Sequence, residues 1–116
     1  MQYLLLLHAE ESGWDAMTPA EQQAGIAAYQ AYGEALTKAG AMVDSNRLQP
    51  GATATTIRVV DGKAQVHDGP FADTKEQLGG YYLIEAADLD AALGWAERCP
   101  GAHHGTIEVR PVWAMG

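Results

Sequence analysis

The sequence predicts an α+β fold of the ferredoxin-like type, a split βαβ arrangement in which two helices cover one face of an antiparallel sheet. Three observations lead to this class. The patterns along the 116 residues follow the order strand, helix, strand, hairpin, strand, helix, strand. A chain of this length forms one domain, residues 1–116. Hydrophobic residues make up 47%, but many are alanines, so the core is thin and the uncovered sheet face predicts a homodimer with stacked sheets.

The first third of the chain is predicted to form a strand, a loop and a long helix. The short apolar run QYLLLLH, residues 2–8, is typical of a strand covered on both faces, and residues 9–17 are predicted to be a loop. Thr18 is the expected N-cap of the helix, with Glu21 completing a capping box, and the helix should end near Ala39. Its predicted buried stripe consists of Ile26, Tyr29, Gly33 and Leu36.

The middle of the chain is predicted to form a strand, a hairpin and an irregular connection. AMVDSNRL is the strand, and an Asp-Gly pair joins TTIRVV to KAQVH as a tight hairpin turn. In the connection DGPFADTKE, the capping-box spacing from Asp73 to Glu76 predicts one short helical turn. Backbone roles explain these acids without a ligand, whereas Phe71 and the density of charge favour a binding site, so both interpretations stay open.

The last third is predicted to form a strand, a helix and a final strand. GYYLIEA is the first of these, and its neighbouring tyrosines, Tyr81 and Tyr82, should point to opposite faces of the sheet. Asp88 is the expected N-cap of the helix, and GTIEVRPV, residues 105–112, is the final strand. The predicted buried stripe of the helix consists of Leu89, Ala92, Leu93 and Ala96.

Composition excludes several classes of function. The net charge is −8 and the seven Lys and Arg residues are scattered, which argues against binding to nucleic acids or to anionic membranes. Cys99 is the lone cysteine and lies at a predicted helix C-terminus, so we expect a packing residue and no disulfide. The early apolar run is too short for a secretory signal or a membrane span, which favours the cytoplasm. The chain has no phosphate-binding glycine loop or paired-cysteine motif, and we expect neither a cofactor nor a metal.

Histidines at strand ends are the first candidates for chemistry. His8 ends the first strand beside Glu10 and Glu11, where it is either a general base oriented by a carboxylate or a histidine bonded to a backbone carbonyl. His104 precedes the final strand and would approach His8 if the register allowed, although no His-x-x-x-His spacing supports a metal site. Trp14, in the predicted loop, is either a packing residue or the lid of a pocket.

The string DGPFADTKEQLGGYYLIEA, followed after the second helix by CPGAHHGTIEVRPV, resembles the DGPF branch of the YCII-related proteins over nearly the whole chain. The resemblance implies a dimeric α+β barrel of ferredoxin-like protomers that holds a ligand in its cavity. Superfamily neighbours include small isomerases, dehydrochlorinases and monooxygenases, and genes of this branch often lie beside those of extracytoplasmic-function sigma factors. The smaller family members use a His–Asp pair, whose places Glu21 and Lys38 occupy here, so that pair is not carried over.

The resulting hypothesis is a small-molecule-binding protein that works as a cofactor-independent isomerase or lyase with an acid–base site in the barrel cavity. His8 would move the proton, with Asp73 or Asp68 orienting it. Two alternatives are a non-catalytic ligand-sensing or regulatory module associated with a sigma-factor system, and a motif that only builds the barrel. The candidate ligand-binding residues are Asp68, Phe71, Lys75, Glu76, Tyr82 and His104, of which Lys75 would stabilise negative charge.

Overall fold

A computed structural model describes residues 1–114, which form six strands and three α-helices. Among these residues no helix is both long enough and apolar enough to cross a membrane. In chain order the elements are β1 (Gln2–Ala9), α1 (Glu11–Asp15), α2 (Pro19–Lys38), β2 (Met42–Arg47), β3 (Thr55–Val60), β4 (Lys63–Asp68), β5 (Gln77–Glu85), α3 (Leu89–Arg98) and β6 (Thr106–Pro111).

Four strands form one antiparallel sheet in the order β2-β5-β1-β6. The helices α2 and α3 pack on the same face of this sheet, where their side chains join those of β1 and β5 in one core. This is the predicted ferredoxin-like topology, and the fold class is therefore confirmed. We call the opposite face, which carries Leu4, Leu6, His8 and Leu83, the open face, because strand residues alternate between faces and Tyr3 and Leu5 are buried under the helices.

The core between sheet and helices is small and partly built from alanines. Cys99 is a fully buried packing residue, as predicted, and its burial raises the pKa of the thiol. The stripe predicted for α3 is partly wrong, because Leu89 and Leu93 are 48% and 45% exposed while alanines face the sheet and let the helix approach it closely. The buried hydrophobic residues are Tyr3, Leu5, Tyr32, Leu36, Ala41, Ile84, Ala92, Ala96 and Cys99.

The long helix α2 begins at the predicted capping box. The Thr18 hydroxyl accepts a hydrogen bond from the Glu21 N–H at 3.2 Å, and the Glu21 carboxylate accepts one from the Thr18 N–H at 3.0 Å. The buried residues of α2 are Tyr32 and Leu36, in its C-terminal half. Ile26, which was predicted to be buried, is 45% exposed. The N-terminal half of α2 therefore leaves a gap over the sheet instead of closing on it.

The predicted loop over residues 9–17 is wrong, because β1 extends to Ala9 and Glu11–Asp15 form the short helix α1. Its N-cap, Glu10, makes no side-chain capping bond, so the sequence contains no start signal for this helix. Contacts from other elements hold α1 instead. The Glu11 carboxylate accepts a hydrogen bond from the Gly51 N–H at 2.7 Å, and the Gln22 amide of α2 donates to the Trp14 carbonyl at 3.0 Å.

The helical turn predicted from Asp73 to Glu76 does not form. The Gln77 side-chain amide donates to the carbonyl oxygens of Ala72 and Thr74 at 3.1 and 2.6 Å. The Thr74 hydroxyl donates to the Glu76 carbonyl at 2.7 Å. Side chains therefore satisfy the backbone acceptors of this segment, and the chain takes an irregular path in place of the turn.

Within residues 1–114 the strands β3 and β4 pair only with each other and form a separate two-stranded sheet. Asp61 and Gly62 have φ angles of 51° and 76°, which fits the tight Asp-Gly turn predicted for this hairpin. A hydrogen bond from the Gly69 N–H to the Ala54 carbonyl, 2.7 Å long, closes the base of the hairpin. Neither strand contains a buried residue, so residues 55–68 extend away from the core, and we call them the hairpin arm.

Candidate functional site

A cavity of about 640 Å³ opens where the N-terminal half of α2 leaves the sheet uncovered. Its volume lies within the range of small-molecule sites, about 300–1,000 Å³. Gly80 forms part of its floor, where a Cβ atom would lie 2.9 Å from the Asn46 carbonyl oxygen, so β2 and β5 can approach each other closely only with glycine there. We call this space the helix-side cleft, and the residues that define it are Glu11, Trp14, Ile26, Tyr29, Arg47, Gly80 and Tyr82.

Three phenols line the helix-side cleft, and burial affects two of them, Tyr29 and Tyr82. Tyr82 reaches it from β5 and packs edge-on against Tyr32, with ring centroids 5.2 Å apart, and Tyr29 reaches it from α2. Burial is the main cause that raises the pKa of Tyr29 and of Tyr82 to about 12. Both hydroxyls therefore keep their protons at neutral pH, and they can donate hydrogen bonds to an oxygen atom of a bound molecule.

A cation and an indole form the outer wall of the helix-side cleft. The Arg47 guanidinium, at the end of β2, lies 4.7 Å from the ring centroid of Trp14 on α1. Such stacking holds a guanidinium in place without neutralising it. Within residues 1–114 no carboxylate lies within ion-pair distance of Arg47. Its positive charge is therefore available to an anionic or acidic group that enters the cleft.

The DGPFADTKE segment borders a second, more open depression of about 560 Å³ beside the first. Glu10, Glu11 and Gln77 line both spaces and separate them. On the far side of this wall, Lys75 forms an ion pair with Glu10 at 3.3 Å between Nζ and Oε1. The segment thus lies next to the helix-side cleft but does not line it.

His8 lies on the open face, on the other side of the sheet from the helix-side cleft. Its Nε2 is 3.5 Å from the Glu108 Oε1 on β6, so the carboxylate beside His8 is Glu108. The hydrogen bond from Arg110 is the main cause that lowers the pKa of Glu108, and His8 adds to it. Within the described part of the chain, no ion pair joins His8 to Asp68 or Asp73.

The residues that the sequence proposes for a site therefore lie in separate regions. Among residues 1–114 no three His, Cys, Asp or Glu side chains come together in a group that could hold a metal. Phe71 is 84% exposed and contacts neither cavity. Of the others, Tyr82 lines the cleft, and Asp73 and Lys75 border the second depression. His8 lies on the open face, and the Glu76 carboxylate accepts a hydrogen bond from the Thr106 hydroxyl. Asp68 and His104 are exposed.

Sequence reasoning missed Arg47 and assigned Tyr29 to the core. Trp14 lines the helix-side cleft, in agreement with the interpretation that it closes a pocket. A signal for Tyr29 does exist, because a tyrosine in a predicted buried stripe brings a hydroxyl that needs a partner. For Arg47 the only signal is its place at the end of a strand whose other residues are mostly polar.

Comparisons with known proteins give one family and one fold. The family model of the YCII-related domain matches residues 1–116. An uncharacterised protein of Rhizobium meliloti (strain 1021) is 39% identical over 114 residues, which are 97% of this chain and 92% of the relative. A solved structure of 5-chloro-2-hydroxyhydroquinone dehydrochlorinase from Burkholderia phenoliruptrix AC1100, in complex with 2,5-dihydroxybenzoquinone, matches with a TM-score of 0.57 at 18% identity. The match covers 100% of this chain and 96% of that one. This likeness concerns the fold alone, and it agrees with the α+β class of the chain.

Proposed function

Because this chain belongs to the YCII-related family, we propose that it binds a small, ring-sized molecule with an acidic oxygen in the helix-side cleft and acts on it by acid–base chemistry. The reaction class is a cofactor-independent elimination or isomerisation. The observation that supports this most is the combination of two protonated phenols and the Arg47 guanidinium, which pairs with no carboxylate of residues 1–114, around one cavity. We place this activity in the cytoplasm, where a lone thiol such as Cys99 stays reduced.

The walls of the helix-side cleft suit a flat molecule. Trp14, Ile26 and Tyr82 present apolar surface, while Arg47 would pair with a phenolate or carboxylate oxygen. A structural neighbour of the same fold holds 2,5-dihydroxybenzoquinone, which supports a ring of that size. Binding sites of this kind combine apolar walls with a few polar groups that orient the ligand.

The chemistry needs a proton acceptor, and Glu11 is the best candidate on this side of the sheet. Its carboxylate lines the cleft and is oriented by the Gly51 N–H. It would take a proton from a ring hydroxyl or an adjacent carbon, and the released electron pair would form a ring carbonyl or double bond. In an elimination the leaving group departs with its own bonding pair, so no oxidant or reductant is required. Tyr29 and Tyr82 would donate hydrogen bonds to the oxygen that becomes negative.

We also propose that two copies associate through their open faces. Leu4, Leu6 and Leu83 give this face an apolar centre that α2 and α3 do not cover. In such a homodimer His8 and Glu108 would lie at the seam between the sheets. His8 would thus meet a ligand only in a second site, which lies in the barrel cavity between the two sheets. The prediction that His8 moves a proton, with help from Asp73, depends on that second site.

Titration with 2,5-dihydroxybenzoquinone, followed by calorimetry and tryptophan fluorescence, tests the assignment to the cleft. We expect Arg47→Met to weaken binding by about 10- to 100-fold, the usual loss for a hydrogen bond to a charged group. Glu11→Gln should retain the bond from Gly51, because its amide oxygen also accepts, but lose turnover of any substrate.

The controls separate the two sides of the sheet. Tyr3→Phe removes a hydroxyl on the helix side outside the cleft and should leave affinity unchanged. His8→Ala should also leave affinity unchanged if the ligand occupies the cleft. Equal affinity of the wild type and Arg47→Met, or a loss confined to His8→Ala, would refute the assignment.

A further inference from the structure

The wall between the helix-side cleft and the second depression joins segments that are far apart in the sequence. Glu10 and Glu11 lie at the start of α1, and Gln77 begins β5. Gly51, between β2 and β3, borders the depression but does not line the cleft. Glu11, the proton acceptor proposed above, lines both spaces, so it is accessible from the cleft and from the open depression.

Gly51 is the point at which these segments come into contact. Its N–H donates a hydrogen bond of 2.7 Å to the Glu11 carboxylate. A Cβ atom on Gly51 would lie 3.1 Å from the Glu11 Oε1 and 3.0 Å from the Gln77 Oε1. Both distances are shorter than ordinary van der Waals contacts, and the φ angle of Gly51 is not positive. Glycine is therefore required here by the space between two side chains and not by the backbone conformation.

The DGPFADTKE segment fixes the orientation of Gln77. The side-chain nitrogen of Gln77 donates both of its hydrogen bonds to carbonyl oxygens of the segment, those of Ala72 and Thr74. Its amide oxygen is thereby turned toward Gly51. Gln77 thus occupies the space beside the Glu11 carboxylate, on the side of the wall where the segment lies.

The same segment holds the start of α1 through the ion pair between Lys75 and Glu10. The helix has only five residues, and its N-cap makes no side-chain hydrogen bond. A helix of this length does not persist in water without contacts to other elements. The position of Glu11 on α1 therefore depends on its contacts with the DGPFADTKE segment and with Gly51.

We propose that the DGPFADTKE segment and Gly51 position Glu11 for proton transfer, so that the segment acts on a molecule in the cleft without contacting it. Gly51 and Lys75 are positioning residues, and Glu11 is the catalytic residue. The proton that Glu11 takes from the bound molecule passes to solvent through the open depression, which restores the carboxylate. This inference rests on the proposed function, but it concerns the rate of proton transfer and not the affinity of the cleft.

Exchange of a carbon-bound proton measures this step. The probe is 3-oxocyclohexane-1-carboxylate, a ring with a carboxylate for Arg47 and a ketone beside exchangeable C–H groups. In heavy water, Glu11 removes a proton next to the ketone, the C–H bonding pair forms the C=C bond of an enolate, and the carbonyl pair moves to the oxygen. Glu11 then exchanges this proton for a deuteron through the depression and returns the deuteron to the same carbon. A C–D bond replaces a C–H bond, and nothing is oxidised or reduced.

Gly51→Ala is the main variant, because its methyl group should displace the Glu11 carboxylate without entering the cleft. We expect deuteration at saturating probe, followed by NMR, to slow by about 10-fold. The Kd of the probe, measured by calorimetry, should change less than about twofold. In the Glu11→Gln background, Gly51→Ala should have no further effect on the rate. Gly13→Ala, on α1 itself, is the matched control, because a Cβ atom there meets no other segment of residues 1–114 within 4 Å, and it should leave both values unchanged.

Lys75→Met tests the contribution of the DGPFADTKE segment by a second route. It releases Glu10 and should slow deuteration by about two- to fivefold, because an exposed ion pair contributes only modestly. The Kd of the probe should again stay the same. Lys63→Met, on β4, removes an equal charge away from the wall and should leave the rate unchanged.

The outcomes separate this inference from the function on which it rests. Exchange that Glu11→Gln abolishes but Gly51→Ala and Lys75→Met leave at the wild-type rate overturns the positioning role, and the proposed function stands. Equal losses of rate and affinity in Gly51→Ala also overturn it, because the substitution would then act on the cleft itself. Binding of the probe without any acceleration of exchange by the wild type overturns the acid–base chemistry together with this inference.

Discussion

The two faces of the four-stranded sheet differ in which residues they use. On the helix side, Tyr29, Tyr82 and Arg47 surround a cavity, and each belongs to a regular helix or strand. On the open face, the His8 Nε2 lies 3.5 Å from the Glu108 Oε1, and both side chains remain partly accessible to solvent. The histidines and the acids of DGPFADTKE, which attract attention in the sequence, do not line the cavity. Among the residues that build it, Tyr82 and Trp14 had been considered for a binding site. Tyr29 had been expected to pack the core, and Arg47 had not been considered.

This difference teaches that concavity arises from packing and not from a motif. The helix-side cleft exists because α2 contacts the sheet through its C-terminal half, where Leu36 is fully buried, and not at Ile26. Any side chain that lines the resulting gap becomes a potential ligand contact. A charged segment on a loop, by contrast, can lie beside a cavity without entering it, as DGPFADTKE does.

The largest expected effect is a difference in the free energy of unfolding between substitutions at two neighbouring leucines of β1, one buried on the helix side and one on the open face. Leu5→Ala removes a fully buried side chain on the helix side and should lower the free energy of unfolding by about 2–5 kcal/mol. Leu6→Ala, on the open face, should cost less than half as much when measured by urea denaturation at concentrations below the dimer Kd. Equal losses at such dilution would mean that the open face is covered within a single chain, and the comparison between faces would fail.

The second effect is a fall in the free energy of unfolding at alkaline pH, which the partly buried tyrosines on the helix side of the sheet should cause. Below pH 10 the folded and unfolded chains both hold the phenolic protons, so tyrosine adds no pH dependence. Because burial raises the pKa of Tyr29 and Tyr82 from 10.0 to about 12, the unfolded chain releases protons first as pH rises. The free energy of unfolding should therefore fall between pH 10 and 12, as measured by urea denaturation at successive pH values. Tyr82→Phe should make this fall shallower, and an identical slope in that variant would contradict the assignment.

Most of the fold could be predicted because its signals are local. The capping box at Thr18 and the turn at Asp61 are short patterns whose backbone consequences hold in most contexts. The helix α1 could not be predicted, since its position depends on a bond from Gly51, 40 residues away from Glu11, and on one from Gln22 on the neighbouring helix α2. Contacts with other segments leave no periodic pattern of residues in the sequence from which such a helix could be predicted.

The sequence predicts correctly that α3 has a buried face, but it predicts less well which residues form that face. The pattern in α3 favours burial of Leu89 and Leu93, because large apolar side chains gain most from leaving water. The structure instead buries Ala92 and Ala96, which allow a closer approach to the sheet. The candidate site suffers from the same limit on local information, since Arg47 and Tyr29 become neighbours of one cavity only after the chain has folded.

The smallest effect compares two segments that share capping-box spacing. At Thr18 both hydrogen bonds of the box are present, so Thr18→Ala should lower the free energy of unfolding by about 1 kcal/mol. Asp73 begins the same pattern with Glu76, but no helical turn follows and Gln77 satisfies the carbonyls there. Asp73→Ala should therefore change stability by less than about 0.5 kcal/mol, as for an ordinary surface substitution. Paired urea denaturation curves measure both values, and a loss at Asp73 as large as that at Thr18 would show that a helix cap forms in solution where this structure has an irregular path.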